Sequence, residues 1–268
     1  MQAYKGMVVL SQAPSPSEKK KARHYLVGIL DPRKEYSVAS FRSKASRSIK
    51  SIIKRKKIPI VVGGSGLYVK ALVDGLFPSP EADLKFRGRM QKFAARYGSP
   101  KLHSALAKID PDAAANIHPN DARRIIRALE IYDSTGRTMT ELKRETKGLK
   151  DNYDIKIFGL TRPRPQVYSS IDARVDKMFA GGVVNEVKAL GKKRLSKTAR
   201  AVLGFKEISE YLDGGYGLDE AMSLVKRNTR RFAKRQMTWF RSDGRIRWFD
   251  VSRMSEGAIV KKICGEVK

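Results

Sequence analysis

The chain has 268 residues, long enough to bury a sizeable core as one large domain or two unequal ones. Lys and Arg outnumber Asp and Glu 56 to 27, for a formal charge of +29, which favours a polyanionic partner because each neutralised phosphate releases condensed counterions. A single cysteine, Cys264, excludes internal disulfides and fits a reducing cytoplasm; no uncharged apolar run is long enough to span a membrane, and no apolar leader opens the chain.

Residues 1–23 read as an irregular stretch with Pro and Ser, ending in the basic run Lys19-Lys20-Lys21. Residues 38–57 read as an amphipathic helix, with Phe41, Ala45, Ile49, Ile52 and Ile53 at helical spacing and basic residues filling the remainder. Ile58-Pro59-Ile60-Val61-Val62 is a short, wholly apolar run ending at Gly63, the pattern of a buried parallel strand. A helical pattern then resumes from Gly66 to Asp74. Residues 82–150 are helical in character, punctuated by Pro111 and Pro119. Within them a helix follows His118, capped by Asn120 or Asp121, stopped by Gly136, and buried along Ile125, Leu129 and Tyr132. Tyr153 to Leu160 restores a strand, and helices fill about 167–241, with Ser169 or Ser170 as the cap of the one carrying Arg174. The economical reading is an α/β domain, residues 1–81 and 151–268, interrupted by a helical insertion at 82–150.

Four constellations could carry chemistry. Gly63-Gly64-Ser65-Gly66 offers close backbone approach and free N–H groups at a helix start, although a tight turn without a ligand explains it equally well. It has neither Walker A spacing nor that of a nucleophile elbow. Arg123 and Arg127 stand four apart and share a face that suits neighbouring phosphates or plain solvent. Arg174 could clamp a diphosphate through its planar fork or pair with a surface carboxylate. Around 226–241, Arg227, Arg231, Lys234, Thr238 and Arg241 fall on one helix face beside Phe232, Gln236 and Trp239, a composition suited to RNA backbone and unstacked bases. Only Asp243 is acidic between 223 and 247. The three histidines, His24, His103 and His118, lie far apart, and no Cys/His spacing suggests zinc.

In order along the chain, Met1-Gln2-Ala3-Tyr4-Lys5-Gly6, Leu30-Asp31-Pro32, Gly63 to Tyr68, His118 to Glu130, Gly204-Phe205-Lys206-Glu207 and Thr229 to Trp239 resemble the tRNA dimethylallyltransferases. The resemblance implies a P-loop-type parallel sheet core with a helical insertion domain that touches tRNA. It implies transfer of a dimethylallyl group from dimethylallyl diphosphate to N6 of the adenosine at position 37, beside the anticodon, with the base drawn out of its stack. Carried over by position, Arg174 stabilises the diphosphate, and Ser65 stands beside the substrate where Thr is usual, with Gly63, Gly64 and Gly66 around it. The segments matching tRNA contacts contain Met1, Gln2, Arg87, Arg123, Arg124, Arg127, Gly204, Phe205, Lys206, Lys234, Arg235, Gln236, Thr238, Trp239 and Arg241.

The same register places the family's G-x-T-x-x-G-K-T loop, which holds diphosphate and Mg²⁺, and the general-base Asp of Asp-Ser-x-Gln ahead of Met1. Val8 to Ala13 stands in place of Asp-Ile-Gly-Thr-Ala-Lys, and Phe205 in place of Tyr. The chain as written is therefore expected to lack the first βα unit of the core, to expose a strand edge and to be impaired in catalysis. Other readings are a non-catalytic tRNA-binding protein and an adenine-nucleotide prenyltransferase. Mg²⁺, the tRNA anticodon stem-loop and dimethylallyl diphosphate are the expected cofactor and partners; a cytoplasmic monomer, with no membrane, is the expected setting.

Overall fold

A computed structural model describes residues 2–77 and 80–267. It divides into two compact units, one of Met1–Lys70 with Asp154–Lys268 and one of Ala71–Tyr153. In chain order the helices begin with α1 Pro16–Lys21, α2 Val38–Lys54 and α3 Gly66–Val73. The second unit holds α4 Leu84–Tyr97, α5 Ser99–Ile109, α6 Pro111–Ala115, α7 Ala122–Thr135 and α8 Met139–Arg144. The chain then runs through β1 Ile157–Thr161, α9 Arg164–Ala180, α10 Val183–Gly191, α11 Lys197–Arg200, α12 Phe205–Leu212, α13 Leu218–Arg241, β2 Ile246–Asp250 and α14 Glu256–Glu266.

The opening stretch is more ordered than its composition suggests. Ser15 and Glu18 form a reciprocal capping box that starts α1, satisfying two orphan donors at once. Ahead of it, Tyr4, Met7 and Leu10 are buried in the core of the first unit, against Val175, Val183, Val187, Ile208 and Val225. Burying side chains of this size contributes about 1.5–3 kcal/mol each, so Tyr4, Met7 and Leu10 anchor the segment to the core. Tyr4 also bridges Leu30 in parallel, and its hydroxyl bonds Thr198. Three consecutive amides, of Val8, Val9 and Leu10, each donate to the Glu186 carboxylate at 2.8 Å. One carboxylate on α10 thereby fixes a loop that has no regular ladder of its own.

The strand expected over 58–62 is absent. Ile60 is 82% exposed and Val62 90%, and no strand among the described residues runs alongside them. A parallel strand is buried only when neighbours cover it and pair its backbone. Without them the apolar side chains face water. The strand expected over 153–160 starts later, at Ile157, and pairs in parallel with β2, which the sequence reading had not marked. Gly159 sits opposite Trp248, and a Cβ there would meet the indole ring at 2.5 Å. The small residue lets the large one lie against the sheet.

Helix α9 begins at Arg164 behind Pro163 and has no side-chain cap, so Ser169 and Ser170 lie inside it rather than at its start. It packs on α13 through two ion pairs one turn apart: Asp172 accepts from Arg230 at 2.6–2.9 Å, and Asp176 pairs with Lys226 at 2.6 Å. Asn228 adds a bond of 2.5 Å to Glu207, tying α13 to α12.

In the second unit, α7 is the centre. Asp121 caps it, accepting from the Arg124 amide at 3.1 Å, and Gly136 ends it in the left-handed region at φ 66°. Its buried face is wider than the expected stripe: Ile125, Ile126, Ala128, Leu129 and Ile131 are buried, whereas Tyr132 is 40% exposed. Phe86, Leu102 and Leu106 from α4 and α5 complete this core.

Candidate functional site

The expected RNA-contacting residues of the second unit do not behave alike. Glu130, 1% exposed, accepts two bonds from Arg87 at 2.8 and 2.9 Å, another from Arg127, and one from the Asp83 amide at 2.8 Å. Arg127 also donates to the Pro80 carbonyl at 3.1 Å. Burial alone would push the Glu130 carboxyl up, but the bonds from Arg87, Arg127 and Asp83 together carry it below the ordinary value. Two arginines on one carboxylate leave one net positive charge. Arg127 is thus held by a carboxylate, unlike Arg123 four residues before it on the same helix. Arg123 is exposed and makes no ion pair among the described residues, and Arg124 pairs with Asp121 at 3.3 Å.

This triad makes a stability prediction. Glu130→Gln leaves two guanidinium groups without their carboxylate, a change that costs about 3 kcal/mol when such pairs are buried. Arg87 and Arg127 are 36% and 29% exposed, which keeps the cost at that lower end. Because the folded carboxyl titrates below its unfolded value, its stabilisation is full above the unfolded pKa near 4.5 and is lost as pH falls through the lower folded value. Chemical denaturation between pH 7 and 3 checks this: the wild type should lose its advantage over Glu130→Gln across the acidic window, and a constant difference would refute it.

In the first unit, the loop Gly63–Ser65 and the start of α3 lie against α13. A Cβ on Gly64 would run into the Gln236 amide, and one on Gly66 into the Trp239 indole. The glycine turn and the Lys234–Trp239 segment are thus brought together, which the sequence separated by about 170 residues. Ser65 is exposed, and its backbone carbonyl accepts from the Tyr68 and Val69 amides at 2.9 and 3.0 Å. Gly66→Ala is expected to destabilise the chain by about 1–3 kcal/mol, because an indole cannot yield like a flexible chain. Gly64→Ala should cost less, since only the end of Gln236 must move. Urea unfolding of the two variants tests the order; an equal cost would show that the indole swings freely.

The basic stripe of α13 is open to solvent. Arg227, Arg231, Lys234 and Arg241 are exposed and form no ion pair among the described residues. Their neighbours Lys226 and Arg230 are the two cations used against α9. Arg235 lies over the Phe232 ring at 5.8 Å, and Thr238 bonds back to the Lys234 carbonyl at 3.1 Å.

Arg174 lines a different cleft, of about 300 Å³, with Leu160, Thr161, Arg162, Val167, Ser170, Ile171 and Val251. The cleft lies at the carboxyl ends of β1 and β2, where open parallel sheets bind ligands. Arg174 has no hydrogen bond or ion pair among the described residues, and burial pushes its guanidinium pKa down. The residue as a whole is solvent-accessible, because cleft walls crowd the group without covering it. A crowded cation with no carboxylate partner is a site for an anion. Arg162 supplies a second cation there, donating to Ser170 Oγ at 3.3 Å.

The remaining expected residues divide. Gly204 takes φ 90°, open to glycine, and a Cβ there would press on Leu10 at 3.3 Å. Phe205 is only 7% exposed and packs in the core of the first unit, and it also lines a cleft with residues of α10. Lys206 pairs with Glu210 at 3.6 Å. Gln2 donates to the Gln12 carbonyl at 2.7 Å and holds the opening loop closed. Met1 lies outside the described residues. No group of three or more His, Cys, Asp or Glu is placed to hold a metal among the described residues, and the Arg174 cleft contains no carboxylate. These residues do not build a Mg²⁺ site. Glu130, Glu186 and Asp172, which organise all this, were missed because their partners lie 43, 178 and 58 positions away.

An anion-seeking arginine at the strand ends and an unpaired basic helix beside a glycine turn are joined by a family match. The chain fits the model described as IPP transferase over residues 2–243 and belongs to that family. It is 47% identical to the tRNA dimethylallyltransferase of Carboxydothermus hydrogenoformans, over 99% of this chain and 86% of that one. The tRNA dimethylallyltransferase of Halothermothrix orenii is 44% identical, over 100% and 81%. Among solved structures, the tRNA isopentenylpyrophosphate transferase of Bacillus halodurans superposes with TM-score 0.71 at 37% identity, covering 99% of this chain and 84% of that one. A eukaryotic dimethylallyltransferase solved acting on tRNA gives 0.78 at 27%, covering 98% and 69%. The fold is thus an α/β member of this group, with a two-stranded parallel sheet among the described residues.

Proposed function

We propose that this protein transfers the dimethylallyl group of dimethylallyl diphosphate to N6 of the adenosine beside the anticodon of tRNA. The observation that carries this reading within the family is Arg174. Its guanidinium is crowded, cationic and unpaired where a parallel sheet presents ligands. As N6 bonds to C1 of the allyl group, the C1–O bond breaks and its electron pair leaves with diphosphate, while the amine sheds a proton. The charge that develops on the leaving oxygen is what a pre-placed cation stabilises. The exposed α13 stripe and Arg123 hold the RNA backbone, and Gln236 and Trp239 frame the glycine turn next to the base. Ala71–Tyr153 acts as the tRNA-contacting insertion. Mg²⁺ is proposed as an accompanying ion of the diphosphate, with no ligand assigned from this chain. The protein works as a cytoplasmic monomer.

The test is incubation of the chain with labelled dimethylallyl diphosphate and an anticodon stem-loop, followed by nuclease digestion and mass spectrometry. Label on the adenosine next to the anticodon supports the proposal. Salt-sensitive stem-loop binding without label supports the non-catalytic RNA binder instead. Label on free adenine nucleotides but not on the stem-loop supports the nucleotide prenyltransferase.

A further inference from the structure

We propose that the cleft between α10 and α12 is a second binding site for the phosphodiester backbone of RNA, separate from the α13 stripe. This rests on RNA being the substrate, as argued above. The cleft holds about 570 Å³ and is rimmed by Lys188, Lys192, Lys193 and Arg200. All four are exposed, and none forms an ion pair among the described residues. Asp213 is the one carboxylate in its wall. Between Glu186 and Glu207 the sequence carries seven Lys or Arg and no Asp or Glu. Both flanking glutamates are already engaged, Glu186 with the amides of residues 8–10 and Glu207 with Asn228. Lys206 is spent on Glu210, and Lys193 helps hold the Asp31 carboxyl below its usual range, but neither Glu186 nor Glu207 is left to neutralise the four rim cations.

A simpler account is that cations at the end of α10 offset its negative pole, an effect of about 0.3–1 kcal/mol confined to the last turn. That explains Lys188 and Lys192. It extends poorly to Arg200, which ends the four-residue α11, too short to sum much of a pole, and it does not explain the convergence of both groups on one concavity. The floor is apolar, formed by Val187, Leu195, Phe205 and Leu212. Cations around a nonpolar floor suit phosphates with ribose and base faces between them, whereas an acidic peptide would leave that floor uncovered.

The experiment measures tRNA affinity across a salt series for the full chain. It compares the wild type with Lys188→Ala/Lys192→Ala/Lys193→Ala/Arg200→Ala and with an equal-charge control on α2, Lys44→Ala/Arg47→Ala/Lys50→Ala/Lys54→Ala. The cleft variant should lower the slope of log K against log salt by about three, at roughly 0.7–0.9 for each of four lost phosphate contacts. An unchanged slope overturns the cleft while leaving the RNA reading intact, and a fall no larger than the control's reduces it to net charge. Poly-glutamate that competes as well as tRNA also overturns it. A wild type with no salt-sensitive tRNA binding sinks both the cleft and the RNA reading. The double Lys192→Glu/Lys193→Glu variant changes only exposed side chains and keeps the test valid if the fourfold variant misfolds.

Discussion

Neutralising Arg227, Arg231, Lys234 and Arg241 together is expected to weaken tRNA binding by roughly 10²–10³-fold near 0.1 M salt. Each cation that meets a phosphate of an unpaired strand contributes about 0.7 to the salt slope, so four remove close to three. That slope, extrapolated from a 1 M reference, gives the fold-change. The stability of the chain should stay within about 0.5 kcal/mol, because none of the four is ion-paired among the described residues. The neighbouring pair Lys226 and Arg230 should show the opposite pattern. Their replacement unlocks α9 from Asp176 and Asp172 and lowers stability, with affinity following only through misfolding. Fluorescence anisotropy across a salt series separates the two cases. Loss of stability without a change of slope in the stripe variant would make it a structural face and not an RNA contact.

The division inside α13 shows what the sequence could and could not reveal. The stripe was legible because almost no acid lies nearby in the chain, and the one nearby carboxylate, Asp243, pairs with Arg245 at 2.7 Å. Which of Arg230 and Arg231 would be structural was not legible, since the deciding carboxylate sits on another helix. The same holds for Arg87 and Arg127, expected as tRNA contacts, whose pairing with Glu130 could not be read from the sequence. Helix α2 was readable from its period and α7 from its period and caps, which are local. Ile58 to Val62 was misread for the complementary reason. An apolar run states a demand for burial, and only neighbouring strands can meet it. Short, aromatic β2 between charged residues carried too little period to be marked, and the parallel pairing that defines it comes from β1, 89 positions upstream at Ile157↔Ile246.

Replacing Arg174 is expected to separate binding from stability in a way that identifies an anion site. Arg174→Ala should lower the transfer rate by about 10²–10³-fold, the usual cost of losing one preorganised donor to a developing negative charge. Arg174→Lys keeps the charge but not the planar fork, and should recover only part of the rate. The more telling variant is Arg174→Met. The guanidinium is crowded by protein, which pushes its pKa down, and no carboxylate among the described residues offsets it. Removing such a charge for an apolar chain of similar reach should leave thermal stability unchanged or raised, as happens where a site is kept strained for function. Wild type should gain melting temperature on addition of inorganic diphosphate, because a ligand that binds only the folded state stabilises it by mass action. Arg174→Met should lose that gain. A variant that melts lower than wild type and still responds to diphosphate would show that Arg174 is a packing residue, and the anion would have to be held elsewhere.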